Sequence, residues 1–282
     1  MAATAFAAEH AYAFTDADFR FLREFVAARC GIALGEHKRQ LVYGRLARRL
    51  RALGLGSFAQ YCELLRREPE RELDALVSAI STNVTAFFRE AHHFEFLAGE
   101  LLPRWLTACG GRVRLWSAGC ATGEEPYTLA MVLAEALERH GAADARILAT
   151  DISPQALETA RRGVYRLDRL GNIDAARRRR WFLRGTGAHD GQAMVHPRLR
   201  ELVTFQPLNL LEAWPMRGRF DAIFCRNVVI YFDKPTKERL FERFADQLAD
   251  DGYLFLGHSE SLYGKSERFR LVGRTIYRRV TA

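Results

Sequence analysis

Apolar residues recur at helical spacing through the first hundred positions. No segment there alternates with period two, so residues 1–107 read as helical throughout. Thr15 followed by Asp18 makes a capping pattern for a helix running to Cys30, and Gly31 ends it. A second helix is expected from about Glu36 to Leu53, with Gly54 just past its end. Ser57 and Glu70 lie near the starts of two shorter helices, and a longer one is expected from Glu90 to about Thr107. The pattern changes at Arg112. Val113–Trp116, Arg146–Thr150, Leu202–Gln206, Phe220–Phe224 and Tyr253–Leu256 are strand candidates, and Glu124–His140, Pro154–Arg162 and Pro235–Leu248 are helix candidates between them. Phe269–Val272 and Thr275–Val280 read as a closing antiparallel pair across Gly273. Strands alternating with helices predict βαβ units and a mostly parallel sheet. Residues 183–204, punctuated by Gly185, Gly187 and Gly191, break that rhythm and read as a small antiparallel insertion. The expected fold is therefore α/β: a helical bundle over 1–80, a connecting segment over 81–111, and a Rossmann-like domain over 112–282 carrying the insertion.

Composition narrows the class. Of 282 residues, 49% are hydrophobic and 27% charged, which excludes disordered and fibrous chains. No apolar run approaches the ~18 residues of a membrane span. The first fourteen residues carry no Lys or Arg and are interrupted by Glu9 and His10, so they do not read as a secretory signal. The five cysteines are odd in number, widely spaced and without a CxxC, which argues against a disulfide framework or zinc site and for a reducing cytosol. The formal charge of +8 suggests an acidic partner without naming one. His92 and His93 are adjacent, lack an evident third ligand and are expected to be structural or capping residues.

The turn after the first strand carries the chemistry. Trp116–Tyr127 places Gly119 and Gly123 in a tight turn and Pro126 in the first turn of a helix, at the strand end where open α/β sheets bind ligands. The spacing is neither GxGxxG nor a P-loop. Glu124 and Glu125 occupy the place a phosphate would need positive, so a cationic nucleoside such as S-adenosylmethionine fits better. The competing reading is that both glutamates merely complement the helix dipole. Asp151, ending the second strand, can accept both ribose hydroxyls or act as a helix cap, a role Ser153 could fill instead. Arg226 and Asn227 follow the fourth strand at the same edge. Tyr231 lies four residues beyond Asn227, as a site residue or a core one, and Asn209 is either an adenine neighbour or a plain turn residue.

The segments Ser81–Phe94, Trp116–Tyr127, Ala149–Ile152, Gln206–Leu211, Phe220–Asp233 and Leu256–Glu260, in this order, resemble the CheR-type chemotaxis receptor methyltransferases, S-adenosylmethionine-dependent protein-glutamate O-methyltransferases. The resemblance implies that Asn83, Thr85 and Arg89 close over the cofactor from the interdomain linker. It implies that Glu125 binds the cofactor in the first turn, with Glu124 the less certain of the pair, and that Asp151 holds the ribose. Asn209 and Leu210 would flank the adenine, and Arg226 and Asn227 would meet the reacting end. Arg89 and Tyr231 would stand nearest the methyl group. No metal is implied. A glutamate side chain has a pKa of ~4.3 and is already ionised at neutral pH, so no general base is required. A non-catalytic S-adenosylmethionine sensor is the alternative, which the intact set Arg89, Arg226, Asn227 and Tyr231 disfavours. A nucleic-acid methyltransferase would call for an NPPY-type stacking motif, where this chain has Arg226–Tyr231.

Two docking surfaces are expected. Residues 37–51 carry Lys38, Arg39, Arg45, Arg48, Arg49 and Arg51 and no acid. At 100° per residue Lys38, Arg45 and Arg49 fall within about 40° of one another. This face is either a solvated one, a nucleic-acid contact or a dock for receptor helices; the resemblance, which supplies an acidic receptor helix, favours the last. The insertion at 183–204 would accept a receptor's C-terminal peptide as an added strand, by analogy with the family. The runs Arg161–Arg162 and Arg177–Arg180 read as solvated helix ends. The protein is expected in the cytoplasm, recruited to membrane receptor arrays.

Overall fold

The structure is a computed structural model describing residues 12–80, 84–108, 111–141, 143–262 and 267–280. Asn83 and Cys109 lie outside the described residues. The chain forms two compact units, one of residues 1–82 with 231–233, the other of residues 83–230 with 234–282.

The first unit is helical. Helix α1 (Asp16–Cys30) starts at a complete capping box: Asp18 N–H donates to Thr15 Oγ1, and the Asp18 carboxylate accepts from Thr15 N at 2.9 Å. It stops at Gly31, whose φ of 68° is left-handed and open to glycine. A 3₁₀ turn (Glu36–Lys38) leads into α2 (Arg39–Leu53), followed by α3 (Phe58–Arg67), capped by Ser57, and α4 (Pro69–Ile80). Phe19, Leu22, Val26, Leu46, Leu50, Phe58, Leu65 and Leu76 are fully buried, each contributing ~1.5–3 kcal/mol through removal from water.

The basic face of α2 differs from its expected form. Arg49 binds Glu72 through two 2.7 Å hydrogen bonds, and Tyr61 OH adds a third at 3.0 Å. Glu72 is 1% exposed, so Arg49 is its counter-ion inside the bundle. Arg45 donates to the carbonyls of Ala79 and Ile80 at the end of α4. Two of the three residues read as one docking stripe thus hold the bundle together. Helical periodicity gives their common angle but not which neighbouring helix covers it. The exposed strip of α2 is instead Leu41, Gly44, Arg48 and Arg51.

The second unit opens with a helical stretch that is not the single helix expected from Glu90. Phe88 and Glu90 have φ of 52° and 57°. The chain then runs through α5 (His92–Phe96), a π turn (Leu97–Leu101) and α6 (Leu102–Thr107). Pro103 lacks the N–H that would bond back to Gly99, and the wider turn accommodates it.

The main sheet has the order β6-β2-β1-β7-β8-β10-β9. Its strands are β1 (Arg112–Ala118), β2 (Asp144–Asp151), β6 (Val203–Pro207), β7 (Phe220–Cys225), β8 (Leu248–Leu256), β9 (Phe269–Gly273) and β10 (Ile276–Arg279). The first five run parallel, and β10 pairs antiparallel with both β8 and β9. Helices α7 (Glu124–His140), α8 (Pro154–Arg162) and α11 (Lys234–Gln247) connect them. Strand β8 begins five residues before its expected start, because Asp250 and Asp251 point to solvent and mask its first half.

A second, antiparallel sheet has the order β3-β5-β4, from β3 (Val164–Arg166), β4 (Phe182–Arg184) and β5 (Gln192–Val195). One of its strands thus precedes residue 183, because three residues after Gly163 are too few to show a period. Between β3 and β4 lies α9 (Ala175–Trp181), and α10 (Pro197–Arg200) follows β5. Arg177 and Arg180 of α9 are not simply solvated: they pair with Glu135 and Glu138 of α7. His92 and His93 both place Nε2 3.2 Å from the Arg274 carbonyl oxygen, at the β9–β10 turn.

Candidate active site

In the strand order, β1 neighbours β2 on one side and β7 on the other, the reversal point at which open α/β sheets bind ligands beyond the carboxyl ends of their strands. The loop after β1 folds back onto β2: Gly119 N and Cys120 N donate to Thr150 O at 2.8 and 2.9 Å. Gly119 has φ 91°, and a Cβ there would sit 2.4 Å from Val228 Cγ2; at Gly123, φ 99°, it would sit 2.7 Å from Tyr165 OH. Both glycines are demanded by left-handed backbone and close approach together.

Asp151 ends β2 and is 8% exposed. Its Oδ2 accepts from Ala121 N at 2.8 Å and its Oδ1 from Ser153 N at 2.9 Å. Ser153 caps α8 itself, by accepting from Ala156 N. The Ile152 amide also acts on it, and since a carboxylate has about four acceptor sites, Asp151 keeps room for a further donor. Burial raises the Asp151 pKa, against those amide contacts.

The adjacent glutamates part company. Glu124 accepts from Thr122 Oγ1 and Arg169 Nη2, each at 2.6 Å, and the same Arg169 nitrogen donates to Thr85 O at 2.8 Å. It ties the 84–90 segment to α7. Glu125 instead accepts from Ser117 Oγ at 2.7 Å and from Arg226 Nη1 at 3.0 Å. Burial is the largest influence on Glu125 and raises its pKa; Arg226 and Ser117 pull it down.

Arg226 is the hub. Only 6% exposed, it also lies 3.3 Å from Glu90 Oε2 and donates to the Arg89 carbonyl. Among the described residues its buried Nε has no hydrogen-bond partner. Glu90 also lies within hydrogen-bond distance of His258, its Oε1 standing 2.9 Å from Nδ1. Burial alone would raise the Glu90 pKa, but the His258 hydrogen bonds and the Arg226 charge outweigh it and draw it to about 2. Asn227 follows with φ 59°, held by its N–H to Glu260.

The remaining expected residues fall as follows. Thr85, Phe87, Phe88 and Arg89 form one braced segment: Arg169 holds Thr85 O, Asn172 holds Phe87 O, and Phe88 N donates to Thr128 Oγ1. Arg89 itself donates from Nη1 to Val84 O at 2.8 Å. After β6, Asn209 Oδ1 accepts from Leu211 N and its Nδ2 donates to Glu212. Leu210, 7% exposed, has its carbonyl held by Trp214 Nε1 and Arg243. Tyr231 groups with the helical unit, where its carbonyl accepts from Ala33 N at 2.7 Å and Lys38 Nζ stands 5.0 Å from its ring. Sequence reasoning missed Ser117, Glu90, Arg169 and His258 as members of this network. Only Glu90 carried a usable signal, as the acid directly after Arg89.

Residues 83–278 match the family model described as CheR methyltransferase, SAM binding domain, and residues 17–81 match CheR methyltransferase, all-alpha domain. A chemotaxis protein methyltransferase 2 from Pseudomonas aeruginosa is 51% identical over 267 residues, 94% of this chain and 93% of its own. A chemotaxis protein methyltransferase from Klebsiella aerogenes is 48% identical over 266 residues, 93% of this chain and 89% of its own. One from Escherichia coli is 46% identical over 269 residues, 94% and 91% respectively. This chain belongs to the CheR family of S-adenosylmethionine-dependent chemotaxis methyltransferases.

Proposed function

We propose that S-adenosylmethionine is held beyond the carboxyl ends of β1, β2 and β7, with Asp151 accepting the ribose hydroxyls, and that the methyl acceptor is a chemoreceptor glutamate. The observation that carries this is buried polar capacity left unused among the described residues: spare acceptor room on Asp151 and an Arg226 Nε without a hydrogen-bond partner. An Nε–H donor suits the methionine carboxylate, and the acidic edge suits a cationic ligand. The cofactor supplies an electrophilic sulfonium methyl. The protein's part is alignment and exclusion of water, since the receptor carboxylate is ionised without help and charge disperses as the two meet. In this scheme Glu125, Arg226 and Asn227 seat the methionine end, and Asn209 with Leu210 the adenine. Thr85 and Arg89, together with Asn83, cover the ligand. Arg89 orients the incoming carboxylate and Tyr231 steadies the methyl trajectory. Transfer of labelled methyl groups to a receptor fragment, read as base-labile ester, tests this. Arg89→Ala is expected to cut turnover at saturating cofactor by about 10², and Tyr231→Phe by less. Unchanged turnover in Arg89→Ala removes its role.

The docking surface on α2 is the exposed strip with Arg48 and Arg51, facing an acidic receptor helix. The small sheet, whose outer strands expose Val164 and Leu183, takes the receptor's terminal peptide as an added strand. Among the described residues no helix is long and apolar enough to cross a membrane. We place the protein in the cytoplasm, recruited to membrane receptor arrays, because its relatives are chemotaxis methyltransferases. Methylation of an intact receptor is expected to slow several-fold between low and high salt, and again when the receptor tail is removed. Equal rates in all three assays would exclude both surfaces.

A further inference from the structure

Leu256–Glu260 matches the family pattern, yet the scheme above gives it no task. Glu260 is 3% exposed, and its carboxylate is held by backbone amides rather than by a cation. Oε2 accepts from Gly257 N at 2.6 Å and Asn227 N at 2.8 Å, and Oε1 accepts from Ile230 N at 3.2 Å. The Glu260 N–H closes the turn on Gly257 O at 2.9 Å. One side chain therefore joins the chain leaving β7 to the chain leaving β8. Asn227 sits at φ 59°, which L residues other than glycine seldom adopt. A Cβ at Gly257 would fall 2.4 Å from Asn227 Nδ2 and 2.9 Å from its N, so only glycine lets the two segments approach this closely.

We infer that Glu260 is a positioning residue of the methyltransferase: its carboxylate pins the backbone of residues 227–230 and so sets where the Arg226 guanidinium and the Asn227 amide stand. The inference rests on the proposed seating of the cofactor against those two residues. Burial works against the ionised carboxyl, and the amides of Gly257, Asn227, Ile230 and Val228 work for it. Three amides hydrogen-bonded to one carboxylate fix a local backbone shape rather than joining two charges. Glutamine in its place keeps the volume, but its NH₂ cannot accept from the amides it would face.

The test pairs the full-length wild-type protein with Glu260→Gln and uses S-adenosylhomocysteine as the probe. Calorimetry on Glu260→Gln is expected to show at least tenfold weaker binding, with kcat at saturating cofactor falling by a smaller factor. Gly257→Ala, which presses on the same Asn227 backbone from the other side, is expected to reproduce that split. In the wild type, the amides of Asn227, Ile230 and Gly257 should exchange with solvent as slowly as the interior of β7 and β8, and more slowly still once the probe binds. Affinity within twofold of wild type in a folded Glu260→Gln overturns the inference. Should that variant not fold, rapid exchange of these three wild-type amides, or exchange unmoved by the probe, overturns it equally. A wild-type protein that fails to bind the probe at all would refute the cofactor placement instead, and the exchange rates without the probe would still decide whether Glu260 clamps the turn.

Discussion

Replacing Asp151 with asparagine is expected to weaken binding of S-adenosylmethionine and S-adenosylhomocysteine about 10²-fold, or about 3 kcal/mol, while the protein stays folded. The carboxylate spends one acceptor site of each oxygen on Ala121 N and Ser153 N. Asparagine keeps the shape but turns one oxygen into a donor. Either an amide of the turn or a ribose hydroxyl then faces a group that cannot accept, and hydrogen bonds to a charged acceptor are worth ~1.5–3 kcal/mol each. Stability responds differently. Burial already raises the Asp151 pKa, so removing the charge relieves a desolvation cost as it removes a hydrogen bond, and the melting temperature should move by only a few degrees. Calorimetric titration alongside thermal melts separates the two effects. Wild-type affinity in a folded Asp151→Asn would show that the ribose lies elsewhere.

That carboxylate was legible in the sequence because the βαβ pattern itself says where the end of the second strand falls, although its partner Ala121 lies 30 residues away. A strand end followed by Gly119, Gly123 and Pro126 leaves few conformations, and the acid ending the next parallel strand arrives beside that turn. The Thr15–Asp18 cap and the Gly31 and Gly54 stops were legible for a simpler reason: their partners lie within one helical turn. What stayed hidden depends on contacts between distant segments. Glu260 meets Asn227 across 33 residues, and Arg226 meets Glu125 across 101. No spacing rule reports such a pairing. The basic face of α2 shows the related limit. Periodicity put Arg45 and Arg49 one turn apart on α2, but Lys38 falls in the 3₁₀ turn before that helix, and the identity of the covered side depended on where α4 packs, Glu72 of that helix taking Arg49 inward. Charged residues on a helix can be structural cations, and only the fold tells which.

Arg226→Met is expected to have the largest effect on stability. The guanidinium stands between Glu125 Oε2 at 3.0 Å and Glu90 Oε2 at 3.3 Å, all three side chains being largely withdrawn from water. Removing the cation strands two buried carboxylates, and breaking such a pair from one side costs ~3–5 kcal/mol. For a unit of this size that is a fall in melting temperature of roughly 10 °C. The pH dependence identifies the cause. In the wild type the Glu90 pKa is drawn from 4.5 to about 2, although burial opposes this. A carboxyl depressed on folding stabilises the protein above pH 4.5 and loses that contribution as pH falls towards 2. Burial already holds the Glu125 pKa above its ordinary value, and without Arg226 it rises further; Glu90, still drawn down by its His258 hydrogen bonds, rises from its depressed value. The variant should be weakest at neutral and alkaline pH and regain stability as the solution is acidified, chiefly as Glu125 takes up its proton. In the wild type the gain from Glu125 is smaller, because Arg226 opposes its protonation. Melting curves of the two proteins between pH 8 and pH 5, plotted as a difference, therefore converge on the acid side. Parallel curves would mean that Arg226 contributes packing against Phe94, whose ring centre lies 5.3 Å from its guanidinium, rather than charge.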